Sequence, residues 1–246
     1  MLFLIGLDDT DNLTSEDTHS LAENMGVKLE ENRLCRMVSI TCHQLLQDPS
    51  IAYTSVNQSV CLLVDADHNA RRDLELACRE FLLRECEPGS NAGFCLSSWS
   101  GVSPAIVAWG EQAKTALLTR RDAISLAREN SIAIAGFTGN GLGVIGALAA
   151  VGLYFGGNDG RFLWLPGMRN LRGIHKFIDL LNICSISRVE NMRGRRPLPN
   201  DRINVSDGAY PILRDGKSLL LVEPAKKDEP YEWHAISKEK ASHLAQ

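Results

Sequence analysis

The chain has 246 residues, 44% hydrophobic and 23% charged, with a net charge of -4; that supports one large core or two smaller ones, and any contact with RNA would rest on a local basic patch. No apolar run approaches the roughly 18 residues that a membrane-spanning helix needs. The opening MLFLIGL is too short for a signal peptide and has no basic residue before its apolar ones, so no leader is expected. None of the seven cysteines stands in a C-x-x-C pair, and most lie in apolar runs such as SVCLLV and GFCLSS. Buried, reduced thiols, no zinc ribbon and a cytoplasmic setting are the expectation.

Taken in order, Met1 to Leu7 predicts a strand, and Ser15 to Asn32 a helix with Leu21, Met25 and Leu29 at helical spacing. RMVSITCH (Arg36 to His43) is a second strand. The polar link QDPSIAYTSVN leads to a third, SVCLLVDA (Ser59 to Ala66). Asn69 to Arg84 is a charged helix with Leu74, Ala77, Cys78 and Phe81 on one side, and GFCLSS, after EPGSN, a fourth strand. This β-α-β-β-α-β order is that of a ferredoxin-like or split-βαβ unit.

After the Gly/Ser/Pro-rich WSGVSPA a second unit is expected. Gln112 to Asn130 reads as helix, SIAIAGFT as strand, GLGVIGALAAVG as the opening of a short helix, and FLWLPG as a short strand. From about Met192 the texture changes to NMRGRRPLPNDR, then to short strands such as SLLLVE, divided by DG and Pro224. The expected fold is α+β: two apposed α/β units, at least one ferredoxin-like, with a small β-rich C-terminal tail. Boundaries fall at residues 1–98, 99–191 and 192–246.

The first predicted strand runs directly into Asp8, Asp9, Thr10 and Asp11. Helix capping accounts for one or two aspartates there, Asp11 or Asp17. Three packed together repel one another and call for a counter-charge; Mg²⁺, held by carboxylates and substrate phosphates, is the natural one. Thr18 lies near the start of the following helix, where exposed N–H groups favour a phosphate. Its hydroxyl is open to three roles: capping, donating to a phosphate, or accepting a phosphoryl group.

IGLDDTDN followed by a Thr-containing helix resembles the archaeal tRNA-isoleucine 2-agmatinylcytidine synthetase family. SIAYTSVNQSV, EPGSNAG and TGNGLGVIGALAAVG resemble three further stretches of that family in the same order, so the likeness spans about Met1 to Gly152 and continues more weakly to Gly173. The resemblance implies an ATP- and Mg²⁺-using kinase-like domain, here residues 1–98, joined to a ferredoxin-like one, here residues 99–191. It implies that Asp8, Asp9 and Asp11 hold metal and triphosphate, that Thr18 matches the threonine the family phosphorylates, and that Asn57 falls at the nucleotide or substrate side. The family's "KTRGNG" is YTSVNQS here, and its "GMCTT" is SEDTH. A short relative without the OB-like domain and zinc ribbon is the expectation.

Gly141, Gly143 and Gly146 spell G-x-G-x-x-G between a predicted strand and a helix, with Asp159 beyond; a dinucleotide loop and close helix–sheet packing are both open. The resemblance implies an active-site cleft there instead. Arg169, Arg172, Arg188, Arg193, Arg195 and Arg196 make the second half locally basic. A solvated loop is the ordinary reading of RVENMRGRRP, and neutralising a triphosphate or an RNA backbone is the functional one. The function expected is ATP/Mg²⁺-dependent phosphoryl- or nucleotidyl-type transfer, without zinc. Its catalytic candidates are Asp8, Asp9, Asp11 and Thr18, and its cofactor-binding candidates Thr10, Asn57, Gly141, Gly143, Arg193 and Arg195. The acceptor is an RNA nucleotide or a small metabolite, with tRNA reached through a partner subunit; homo-oligomers are open and no membrane is involved. The alternatives are a non-catalytic ligand-binding or regulatory protein and an NAD(P)-dependent oxidoreductase.

Overall fold

β1 (Leu2–Asp8), the first strand in the computed structural model, is buried along almost its whole length. The structure describes residues 1–10, 18–49, 51, 57–206 and 208–245, which form two compact units, Met1–Gly156 and Gly157–Gln246. In the first unit β1 is followed by α1 (Thr18–Glu31), β2 (Arg36–Gln44), β3 (Gln58–Asp65), α2 (Arg71–Glu85) and β4 (Gly93–Ser98). Then come α3 (Pro104–Ala113), α4 (Arg120–Glu129), β5 (Ala133–Gly136) and α5 (Val144–Gly156). The strands lie in the order β5-β4-β1-β3-β2, antiparallel throughout. The helical crossovers β1–α1–β2 and β3–α2–β4 each leave room for one strand between their ends, so the two interleave.

Period-two alternation decides what covers each face. Ile5 pairs with Leu62, and Leu62 lies under Gly26 of α1, so α1 covers the Phe3–Ile5–Leu7 face. The opposite face carries Gly6 and Asp8, and there α5 comes so close that a β-carbon on Gly6 would stand 1.9 Å from the Ala147 carbonyl oxygen. Because helices cover both faces, β1 and β3 read as unbroken apolar runs rather than as alternation. On the α5 side of β2, the buried Ser39 hydroxyl shares a 2.7 Å hydrogen bond with the Tyr154 hydroxyl, and Thr41 Oγ1 lies 2.8 Å from His43 Nε2.

Two expectations are corrected here. The helix expected over Gln112 to Asn130 is two helices. α3 starts earlier, with Pro104 in its first turn, where the missing N–H costs nothing. α4 starts anew at Thr119, whose Oγ1 accepts the Asp122 N–H at 3.2 Å. WSGVSPA is therefore a 3₁₀ turn (Trp99–Gly101) and a helix start, not a domain linker. The boundary expected after residue 98 moves to Gly156, because β5 extends the same sheet beside β4 and α5 packs across β1, β3 and β4.

The second unit contains β6 (Arg161–Trp164), β7 (Ile174–Lys176), α6 (Phe177–Ile183), β8 (Arg188–Glu190) and β9 (Arg202–Asn204). β10 (Ile212–Arg214), β11 (Lys217–Pro224), β12 (Trp233–Ala235) and α7 (Lys238–Leu244) complete it. β10 and β11 form a hairpin whose turn residues, Asp215 and Gly216, both have positive φ (52° and 68°), the geometry that makes Asp-Gly a hairpin signal. Ile212, Leu219, Leu221, Ile236 and Ala241 form its core. None of the seven cysteines forms a disulfide, and no helix among the described residues is long and apolar enough to cross a membrane.

Candidate functional site

Consecutive aspartates at the end of β1 have different surroundings. Asp8 is the last strand residue, on the α5 face, and its carboxylate lies beside the first turn of α5: a β-carbon on Gly146 would be 2.1 Å from Asp8 Oδ2. The positive end of the helix dipole favours a carboxylate there. Asp9 turns the chain with φ +53°, a left-handed conformation in which Asp is tolerated better than most residues.

Asn91 holds that turn. Its backbone N–H donates to the Asp9 carbonyl at 3.2 Å, and its Nδ2 donates to Asp9 Oδ2 at 3.1 Å. Its Oδ1 accepts the Asn140 N–H at 3.2 Å, and its carbonyl accepts the Gly143 N–H at 2.9 Å. Thr138 adds a second tie: its Oγ1 accepts the Ala92 N–H at 2.8 Å and shares a 2.7 Å bond with the Ser90 hydroxyl. The segment Glu87–Asn91 thus joins the acidic turn to the glycine-rich loop. Asn91 and Thr138 are not among the candidates singled out from the sequence; their signal there is that both lie in stretches carrying the family resemblance, EPGSNAG and TGNGLGVIGALAAVG.

Gly143 is packed between strand ends. A β-carbon there would lie 2.5 Å from the Asp8 carbonyl oxygen and 2.7 Å from the Gly93 nitrogen. Gly141 serves the turn instead, with φ +63° and its Cα against Gly136. A dinucleotide loop needs a parallel βαβ unit. β5, the strand before this loop, is antiparallel to β4 at the sheet edge, so the G-x-G-x-x-G pattern is here a packing motif, and the oxidoreductase reading loses its structural context.

Thr18 opens α1 and is buried, and the Thr10 hydroxyl donates to its Oγ1 at 3.1 Å. Asp11 lies outside the described residues. Asn57 reaches the site only indirectly: its carbonyl accepts the Leu45 N–H at 2.9 Å, and Leu45 Cδ1 borders Gly146. Arg193 and Arg195 belong to the second unit, where both backbone N–H groups donate to Asn191 Oδ1 and the Arg195 guanidinium lies 5.6 Å over the Trp233 ring. Beside Thr10 a cleft of about 520 Å³ opens between α1 and α2, lined by Leu21, Asn24, Lys28, Phe81, Glu85 and Glu87. Among the described residues no three His, Cys, Asp or Glu side chains converge as metal ligands; Asp8 and Asp9, consecutive in the chain, carry carboxylate oxygens, the donor type a hard cation takes.

No family model and no curated protein matches the chain. Solved structures do. The apo structure of TiaS, an isoleucine-tRNA agmatidine synthetase, matches with TM-score 0.53 and 24% identity, over 62% of this chain and 35% of that one. The complex of TiaS with its isoleucine tRNA and ATP matches with TM-score 0.53 and 24% identity, over 62% and 36%. A tRNA fluorescent labeling enzyme matches with TM-score 0.54 at the same identity, again over 62% and 36%. At this identity the likeness is one of fold: over 62% of its length the chain shares the α+β architecture of the TiaS agmatidine synthetase, of which it spans 35%.

Proposed function

We propose that the chain is an ATP- and Mg²⁺-dependent enzyme of phosphoryl or nucleotidyl transfer, working at the Asp8–Asp9–Thr10 turn. One observation carries this reading: Asn91 ties an acidic turn in a left-handed backbone to a glycine-rich loop at the start of a helix. That arrangement occurs in a fold shared with a structure that contains tRNA and ATP.

Asp8 and Asp9, with Asp11 as a further ligand, would hold Mg²⁺, whose charge offsets that of a triphosphate. The remaining work falls to this chain's own groups. Asn91 fixes the direction of the Asp9 carboxylate, and the first turn of α5 fixes Asp8, so both are oriented before a nucleotide arrives. Such transfer depends mainly on positioning and charge neutralisation. Thr18 braces the turn through Thr10. We read the first unit as the kinase-like domain, built on a ferredoxin-like β-α-β-β-α-β core with β5 and α5 added. The acceptor is a small metabolite or an RNA nucleotide, tRNA being reached through a partner subunit; Arg193 and Arg195, within the second unit, are the proposed contacts for phosphates of an RNA backbone.

Thermal unfolding with ATP tests this. The midpoint should rise only when Mg²⁺ or Mn²⁺ is present, and Asp8→Asn and Asp9→Asn should each remove the rise. An ATP effect that survives EDTA speaks against the site. The buried Thr10–Thr18 hydroxyl pair favours a second reading, a ligand-binding or regulatory protein without turnover. Metal-dependent ATP binding with no release of ADP or pyrophosphate would select it.

A further inference from the structure

β5 is the terminal strand of the first unit's sheet. The Phe137 N–H donates to the Ala92 carbonyl at 2.9 Å. By antiparallel alternation Ala133 and Ala135 also face β4, and the N–H and C=O groups of Ile134 and Gly136 point away from it. A groove of about 330 Å³ follows this strand, with Ile132 to Gly136 along it. Arg79 of α2 and Val144 of α5 also line it. These two come from opposite sides of the sheet, since Arg79 lies over the Phe94 ring on the α1 side and α5 covers the other. The groove therefore runs along the outer edge of β5.

Arg120 and Arg128 of α4 complete the lining. Arg79 is neutralised by Glu75 at 2.9 Å, whereas the side chains of Arg120 and Arg128 have no hydrogen-bond or ion-pair partner among the described residues. Arg120 stands at the Gly136 end, its Nε 3.5 Å from where a β-carbon on Gly141 would lie. Arg128 stands at the other end, its carbonyl accepting the Ser131 N–H just before the strand. Eight helical residues separate them, roughly 12 Å along the axis. Four residues of extended chain span about 13 Å and return to the same side.

We propose that this edge is a docking site for an extended acidic peptide segment of a partner protein, which adds to β5 as a strand and sets carboxylates four residues apart against Arg120 and Arg128. The charges alone would also suit a phosphodiester backbone. The strand edge decides between them: Ile134 and Gly136 offer carbonyls as well as N–H groups, and a peptide supplies partners for both where phosphates supply only acceptors. The isoleucines Ile124, Ile132 and Ile134 provide an apolar lining for the residues between the carboxylates.

The test uses the full chain and a fluorescent nine-residue peptide of alternating valine and threonine, with two glutamates four residues apart. Anisotropy should saturate, and Arg120→Glu combined with Arg128→Glu should weaken binding by about tenfold or more. N-methylation of one alternate set of peptide amides should abolish binding, and methylation of the other set should leave it intact. Ile134→Pro, which removes an outward N–H from an edge strand where proline is tolerated, should act like the first set. The methylated peptides decide the matter should that variant not fold. No binding, equal effects of both methylation patterns, or tighter binding of a nine-nucleotide oligouridylate would each overturn the proposal, the last moving the groove to nucleic acid.

Discussion

The Asp8 carboxylate occupies the space in which any side chain at Gly146 would begin, 2.1 Å from Oδ2 to the position of a β-carbon. Leu45 closes the same space from another direction at 2.9 Å. The glycine is therefore bound to the acidic turn, not only to helix packing.

Gly146→Ala should force Asp8 to rotate and cost about 1–3 kcal/mol of stability, as overpacking does, and the metal-dependent ATP shift should vanish. Gly156→Ala, at the other end of α5, meets only Val107 Cγ1 at 3.4 Å and should gain up to about 1 kcal/mol from helix propensity. Urea unfolding of the two variants makes the comparison. Similar stabilities would show that Asp8 is not held against Gly146.

Asn91 offers a sharper probe, because one side chain donates to Asp9 and accepts from Asn140. Asn91→Ala should destabilise by about 1–3 kcal/mol, since it leaves a half-buried polar pair unmatched, with only the shallow pH dependence of a lost hydrogen bond to a carboxylate. Asn91→Asp keeps the acceptor but sets a second carboxylate against Asp9 Oδ2. Two carboxylates in contact resist ionising together, so this variant should come nearest to wild-type stability in acid and lose stability as the pH rises and both carboxyls ionise. Parallel pH profiles for the two variants would refute the direct Asn91–Asp9 contact.

How far the site was legible follows from the same residues. The two helices of the first 98 residues carry clear periods, the strands there stand out as short apolar runs, and Asp-Gly at 215–216 carries its own turn chemistry. Thr119 looked like any polar residue inside a helical run. Its extended backbone and its bonds to Asp122 mark it as a helix start, the capping that a Thr-x-x-Asp pattern permits. The three-residue strands β7, β8 and β9 are too short to show a period. Asp8 and Asp9 looked equivalent as letters; they differ because strand alternation sends one to α5, and a positive φ sends the other to Asn91. A lone asparagine in a loop gives no pattern at all.

The buried thiols set a pH limit. Burial pushes Cys35 up to about 11, helped by Glu30, and Cys86 up to about 12, helped by Glu85. Cys61, Cys78 and Cys95, fully enclosed, are raised further. An unfolded thiol ionises near 8.5, so above that pH the unfolded chain has released protons that the folded one keeps. Their contribution to stability is complete below about pH 8 and falls as the pH rises from 8.5 towards 11. Urea unfolding should therefore show declining stability between pH 8 and 10. Iodoacetamide at pH 8 should label Cys78 quickly only in denaturant. A flat stability profile, or fast labelling of the folded protein, would contradict this.

Thr18 is the residue where resemblance and geometry pull apart. A phosphate at the start of α1 would gain from the helix dipole. Against this, the Thr18 side chain is buried, and its Oγ1 accepts the Thr10 hydroxyl at 3.1 Å; Glu16 and Asp17 precede it in sequence and repel a dianion. Phosphorylation would have to break the hydroxyl pair and expose the residue. The expected result is that wild type and Thr18→Val both bind ATP–Mg²⁺ and that neither gains about 80 Da in intact-mass spectrometry. Thr18→Val should instead cost about 1–2 kcal/mol, because the Thr10 hydroxyl loses its buried acceptor. A mass gain in wild type that is absent from Thr18→Val would make Thr18 a phosphoryl acceptor and its bond to Thr10 the resting state of the site.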